Sequence, residues 1–206
     1  MGNFYKFGNV MIDIETLSTQ KNASIIEIGA VEFNKETGEI GEKFDVMINP
    51  YDWGKNDRHI DGETIKWWFS QSNEARERYV NCPNDIELVS LNDALVRLRY
   101  FIFGCDSIGK DKNVIVWGNG ASFDIAILED AYNHFKYSIP WKYWCVNDVR
   151  TIVNLNPSIK MGYGFNDCIK EYQDEIMVKH SPVSDCIYQI GYVTKTINSI
   201  KNYGKK

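Results

Sequence analysis

The chain has 206 residues, of which 44% are hydrophobic, 25% charged and 14% aromatic. That composition excludes a disordered or collagen-like chain. Its 23 basic and 28 acidic residues give a net charge of −5, which excludes a protein that coats nucleic acid by bulk positive charge.

The length suits one domain over residues 1–200, followed by a short basic tail at 201–206. Five cysteines without a C-x-x-C pair point to reduced thiols rather than a disulfide framework or a thiolate zinc site. No apolar run approaches the ~18 residues of a membrane span, and no secretory leader is legible. A cytoplasmic protein with no membrane partner is expected.

Residues 9–15 are apolar and β-branched and predict a buried strand, and residues 25–33 predict a second. Gly38 ends a turn between that strand and a third, in which Phe44, Val46 and Ile48 alternate. Short connections make these three strands antiparallel. A helix is predicted over residues 61–79 with Asp61 as its cap. Another opens at Ser90 and ends at Gly104. Residues 114–117 form a short buried strand that runs into Gly118-Asn119-Gly120 and a helix from about Ser122. A strand near residues 143–146 and two or three further helices follow, the longest over 183–200. The order gives a mixed sheet with helices packed against it.

Asp13 and Glu15 lie two apart on the first strand and share a face, while Ile12 and Ile14 take the other. Two adjacent carboxylates in an apolar strand repel each other, and burial raises the cost. Two readings fit: a divalent cation that neutralises them, with oxygen ligands favouring magnesium or manganese, or a solvated strand end. Asp124 follows the Gly-Asn-Gly turn at the start of a helix, where an acid also suits the helix dipole. His180 lies on a loop, and Asp185 lies in the first turns of the last helix. His134, on a helix, reads as a surface or core residue rather than a base, and His59 is ambiguous.

The ordered set Asp13, Glu15, Asp124, His180 and Asp185 resembles the DEDDh, or DnaQ-like, family of 3′-5′ exonucleases. Residues 65–72 (IKWWFSQS), 117–124 (WGNGASFD) and 146–151 (VNDVRT) are similar to the branch holding RNase AS, exonuclease VIII and the phage exodeoxyribonuclease DexA. The resemblance implies an α/β fold: a ribonuclease H-like mixed five-stranded sheet, its first three strands antiparallel, flanked by helices. Two departures stand out. Pro182 replaces a small residue, and Gly120 replaces a larger one.

The resemblance implies two divalent cations, Mg2+ or Mn2+, with Asp13 bridging them. Glu15 and Asp185 would complete one shell, and Asp124 would hold the second. The ions would clamp the attacking and leaving oxygens, ~3.5–4 Å apart, while His180 takes the proton of the attacking water. The expected partner is the 3′ end of single-stranded DNA, with 5′-mononucleotides as product. RNA is the alternative, and a non-catalytic binding module is a third reading.

Expected substrate contacts are Thr16 and Leu17, through backbone amides and an apolar wedge, together with Phe123, Asn119 and Trp67. Trp67 and Trp68 are adjacent and cannot share a helix face, so one is expected in the core and one nearer the cleft, with a wholly structural role for both as the alternative. Arg150 and Lys160 are candidate phosphate contacts.

Overall fold

A computed structural model describes residues 7–82, 86–103, 113–175 and 177–203. The aliphatic runs form β1 (Asn9–Thr16), β2 (Ile25–Phe33) and β3 (Ile40–Ile48). Their short connections allow only antiparallel pairing, and β1 pairs with β2 and β2 with β3 in that sense. Three shorter strands, β4 (Leu88–Val89), β5 (Ile115–Gly118) and β6 (Val146–Asp148), return through helical connections. They pair parallel, β4 on β3, β5 on β1 and β6 on β5. The sheet order is β4-β3-β2-β1-β5-β6. The mixed sheet with an antiparallel start is as expected, with six strands among the described residues rather than five. The additional strand, β4, has two residues, too few to show a period.

The segment predicted as one helix over 61–79 is two helices, α1 (Gly62–Phe69) and α2 (Asn73–Asn81). Serine hydroxyls compete with the helix ladder here. Ser70 Oγ donates to the Trp67 carbonyl and closes α1, and Ser72 Oγ accepts from Ala75 N–H and opens α2. Asp61 caps α1 through Glu63 and Thr64 N–H. The remaining helices are α3 (Leu91–Phe103), α4 (Asp124–His134), α5 (Val149–Val153), α6 (Pro157–Met161), α7 (Phe165–Glu171) and α8 (Pro182–Tyr203). Gly104, the expected end of α3, lies outside the described residues. The strand expected at 143–146 is a 3-10 turn, Tyr143–Cys145, followed by β6. The register with β5, in which Val146 meets Val116, sets where that pairing begins.

Alternation along β1 splits the interior into two cores. Val10, Ile12 and Ile14 pack with α3 and α4 on one face of the sheet. Met11 faces the other way, towards Cys186, Ile187 and Ile190 of α8. Asp13 and Glu15 continue the Met11 side and therefore face α8. Gly29 of β2 is the register partner of Asp13. It lets the first turn of α8 rest directly on the sheet, because a Cβ there would lie 2.6 Å from Pro182 Cβ. Cys145, Cys168 and Cys186 are buried free thiols. Among the described residues no helix is long and apolar enough to cross a membrane.

Candidate active site

Three elements bring the acids together. β1 supplies Asp13 and Glu15, the start of α4 supplies Asp124, and the first turn of α8 supplies Asp185. His180 lies two residues before α8, in the left-handed region at φ 59°. Ligand atoms of Glu15, His180 and Asp185 lie within 4.8 Å of one another. Asp124 Oδ1 accepts from Ile14 N–H at 3.4 Å, which ties it to the same stretch of β1. The His180 backbone N–H donates to the Asp185 carboxylate.

Burial pushes Asp13 and Glu15 well above the usual carboxylate range. The charges of Asp124 and Asp185 add to it at Asp13, and those of Asp13 and Asp185 add at Glu15. Asp124 and Asp185 are each pushed up to about 7, chiefly by burial. At Asp124 the hydrogen bond from Ile14 and the Arg150 guanidinium act in the opposite sense. Burial, then the charge of Lys179, pushes His180 down, so its imidazole is neutral near pH 7 and can accept a proton. Four desolvated carboxylates repelling one another form a donor set that a hard divalent cation relieves, and oxygen ligands of this kind fit Mg2+ or Mn2+.

The α1–α2 segment walls the histidine. Asp61 N–H donates to the Leu17 carbonyl at 2.8 Å and anchors the start of α1 beside the end of β1. Trp68 is 7% exposed and donates Nε1–H to the Thr16 carbonyl at 2.9 Å. Trp67 is 45% exposed and meets the His180 ring edge to face at 5.5 Å. The pair thus divides between a buried ring and a half-exposed one beside His180.

Other expected contacts fall differently. Leu17 is buried against Ile26 and Trp68, and its N–H donates to the Ser24 carbonyl. The structure therefore offers neither the free amide nor the wedge expected of Leu17. Thr16 is buried, with its hydroxyl donating to the Ser18 carbonyl. Phe123 is half-buried against the core. Asn119 follows β5, its Oδ1 buried without a partner. Gly120, at φ 114°, makes room for the Arg150 guanidinium, which would lie 3.1 Å from a Cβ there. Lys160 lies over the Tyr192 ring on α8. His59 bonds Ser18 Oγ and joins two loops, and His134 is exposed at the end of α4.

Sequence reasoning missed four residues around this cluster: Gly29, Glu27, Arg78 and Gln189. Glu27, 0% exposed, is the register partner of Glu15. Arg78 Nε donates to both Glu27 oxygens at 3.0 Å, and Nη2 reaches Asp45 Oδ2 at 3.1 Å. Tyr79 Oη donates to Glu27 Oε2 at 2.7 Å and lies 3.4 Å from the His180 carbonyl oxygen. Burial and the Glu27 charge push Asp45 up to about 8. An acid inside the apolar run of β2 was the available signal for Glu27. Arg78 carried none.

A mixed sheet with three antiparallel leading strands thus gathers Glu15, Asp185 and His180, with Asp13 and Asp124 beside them, around the end of β1. The chain belongs to the 3′-5′ exoribonuclease Rv2179c-like domain family, whose model matches residues 8–197. It is 30% identical over 162 residues to the exodeoxyribonuclease of Enterobacteria phage T4, covering 68% of each chain. Its fold is similar to that of E. coli exonuclease I in complex with a dT13 oligonucleotide. That match has a TM-score of 0.62 and 14% identity, over 95% of this chain and 42% of that one. It is also similar to the nuclease domain of 3′hExo, a DEDDh family member bound to rAMP. There the TM-score is 0.58 and the identity 12%, over 97% and 95% of the two chains. The protein is a 3′-5′ exonuclease, a hydrolase of nucleic acid.

Proposed function

We propose that the chain removes 5′-mononucleotides from the 3′ end of single-stranded DNA. The convergence of Asp13, Glu15, Asp124, Asp185 and His180 around the end of β1 carries this reading. The four carboxylates would hold divalent cations, two by the DEDDh pattern, with Asp13 shared. When bound, the cations supply Lewis-acid stabilisation of the attacking and leaving oxygens. His180, neutral and on a loop outside α8, accepts the proton of the attacking water. Trp67 offers an exposed ring beside that base for the terminal nucleotide. Asn119 and Phe123 line the approach after β5, and Arg150 faces a phosphate next to Asp124.

The T4 relative's name favours DNA. The family description favours RNA as a second reading, and the two sugars differ in the 2′-hydroxyl. Digestion of matched 3′- and 5′-labelled DNA and RNA oligomers, with magnesium, manganese or chelator, tests both. Release from DNA 3′ ends in metal alone is expected, with loss in Asp13→Ala and a large fall in His180→Ala. Full activity in chelator or in Asp13→Ala would overturn the metal reading. Faster turnover of RNA would reverse the substrate order.

A further inference from the structure

Gln189 lies on α8 four residues after Asp185, so both side chains leave the same face of the helix. It is 3% exposed. Its Nε2 donates to Asp13 Oδ1 at 2.8 Å. An ionised carboxylate only accepts, which fixes the amide with nitrogen towards Asp13. The other end of the amide, Oε1, is buried and has no hydrogen-bond donor. Buried polar atoms are ordinarily paired, and one left over beside a ligand marks where a donor arrives. A glutamine that only filled space would be replaced there without loss by an apolar side chain of the same shape.

We propose that Gln189 is a positioning residue of the metal centre, holding Asp13 from the protein side and offering Oε1 to water that enters with the cation. The inference rests on Asp13 being a metal ligand. The physical basis is the one that governs residues behind metal ligands in general: a hydrogen bond from behind fixes a carboxylate's orientation, so less freedom is lost when the ion binds. Asp13 is the case where this matters most. It sits between Asp124 and Asp185, whose charges disfavour its ionised form, and the Gln189 amide favours that form.

The test is Mn2+ binding to the full-length chain without nucleic acid, read by titration calorimetry for wild type, Gln189→Met and Asp13→Ala. Gln189→Met keeps the volume and removes the amide. It is expected to bind Mn2+ roughly 10–100-fold more weakly. Its thermal midpoint in chelator should be no lower than wild type, and its kcat should recover at saturating Mn2+. If Gln189→Met does not fold, Gln189→Asn, which retracts the amide by one methylene, reads the same affinity. Wild-type Mn2+ affinity in the Gln189 variant, with weakened binding in Asp13→Ala, would overturn the role of Gln189 alone. Undiminished binding in Asp13→Ala would overturn the ligand assignment beneath it.

Discussion

Gly29 and Pro182 meet with no room for a side chain between them: a Cβ on Gly29 would lie 2.6 Å from Pro182 Cβ and 2.7 Å from Val183 N. Gly29 is beside Asp13 in the sheet, and Pro182 opens the helix that carries Asp185. Proline suits that first helical position, since its φ is preset and its missing N–H has no partner there anyway. The contact therefore sets the height at which Asp185 and the His180 loop stand over β1.

Gly29→Ala should lift that first turn. A stability loss of about 1–3 kcal/mol is expected from overpacking, together with a fall in kcat because Asp185 and His180 move as a unit. Urea unfolding and turnover on a labelled strand check both. Wild-type turnover in Gly29→Ala would show that the close approach is dispensable.

Asp124 and Asp185, pushed up to about 7, stand above their unfolded value of about 3.9. Folded protein thus binds these protons more tightly than unfolded protein. The stability they contribute is full below about pH 4 and is lost as pH rises through about 7. In chelator the thermal midpoint should fall between about pH 5 and pH 8, and saturating Mg2+ should flatten the curve. Asp13→Asn should raise the midpoint in chelator while abolishing turnover, since one repelling charge is gone. A midpoint that rises with pH in chelator would contradict this sign.

Arg78 is the cation that neutralises buried Glu27. Arg78→Met leaves that carboxylate without its counter-charge, with only the Tyr79 hydroxyl still bonded to it, and should cost about 3–5 kcal/mol. Adding Glu27→Gln should recover much of the loss, because the uncompensated charge goes with it. Chemical denaturation of the two single variants and the double variant reads the coupling directly. Additive losses would mean the pair does not interact as the geometry indicates.

The two tryptophans should separate cleanly. Trp67→Ala should raise KM for a single strand, at about 1–3 kcal/mol for a lost stacking surface, with little change in thermal midpoint. Trp68→Ala should destabilise by about 3–5 kcal/mol, the usual cost of emptying a buried aromatic site. Equal effects of both on KM and stability would refute the division between cleft and core.

Much of this was legible in the chain. The D-x-E spacing on β1 gave Asp13 and Glu15 one face, because side chains alternate on any strand. Asp61 announced its cap by residue type, and the serines at 70 and 72 carried the signal for the break between α1 and α2. The two-residue β4 had no period to read. The burial of Leu17 against Ile26 and Trp68 depends on α1 folding back over β1, which no local pattern shows.

The sequence by itself determined the kinds and order of the reactive groups and the strands and helices that bear them, since alternation and capping are local. Only the tertiary structure decided which neighbours those groups keep. Glu27 faces Glu15 through strand register, Arg78 answers Glu27 across 51 residues of chain, and Gln189 meets Asp13 across 176. Such pairings arise from how layers pack, and no local pattern in the chain encodes them.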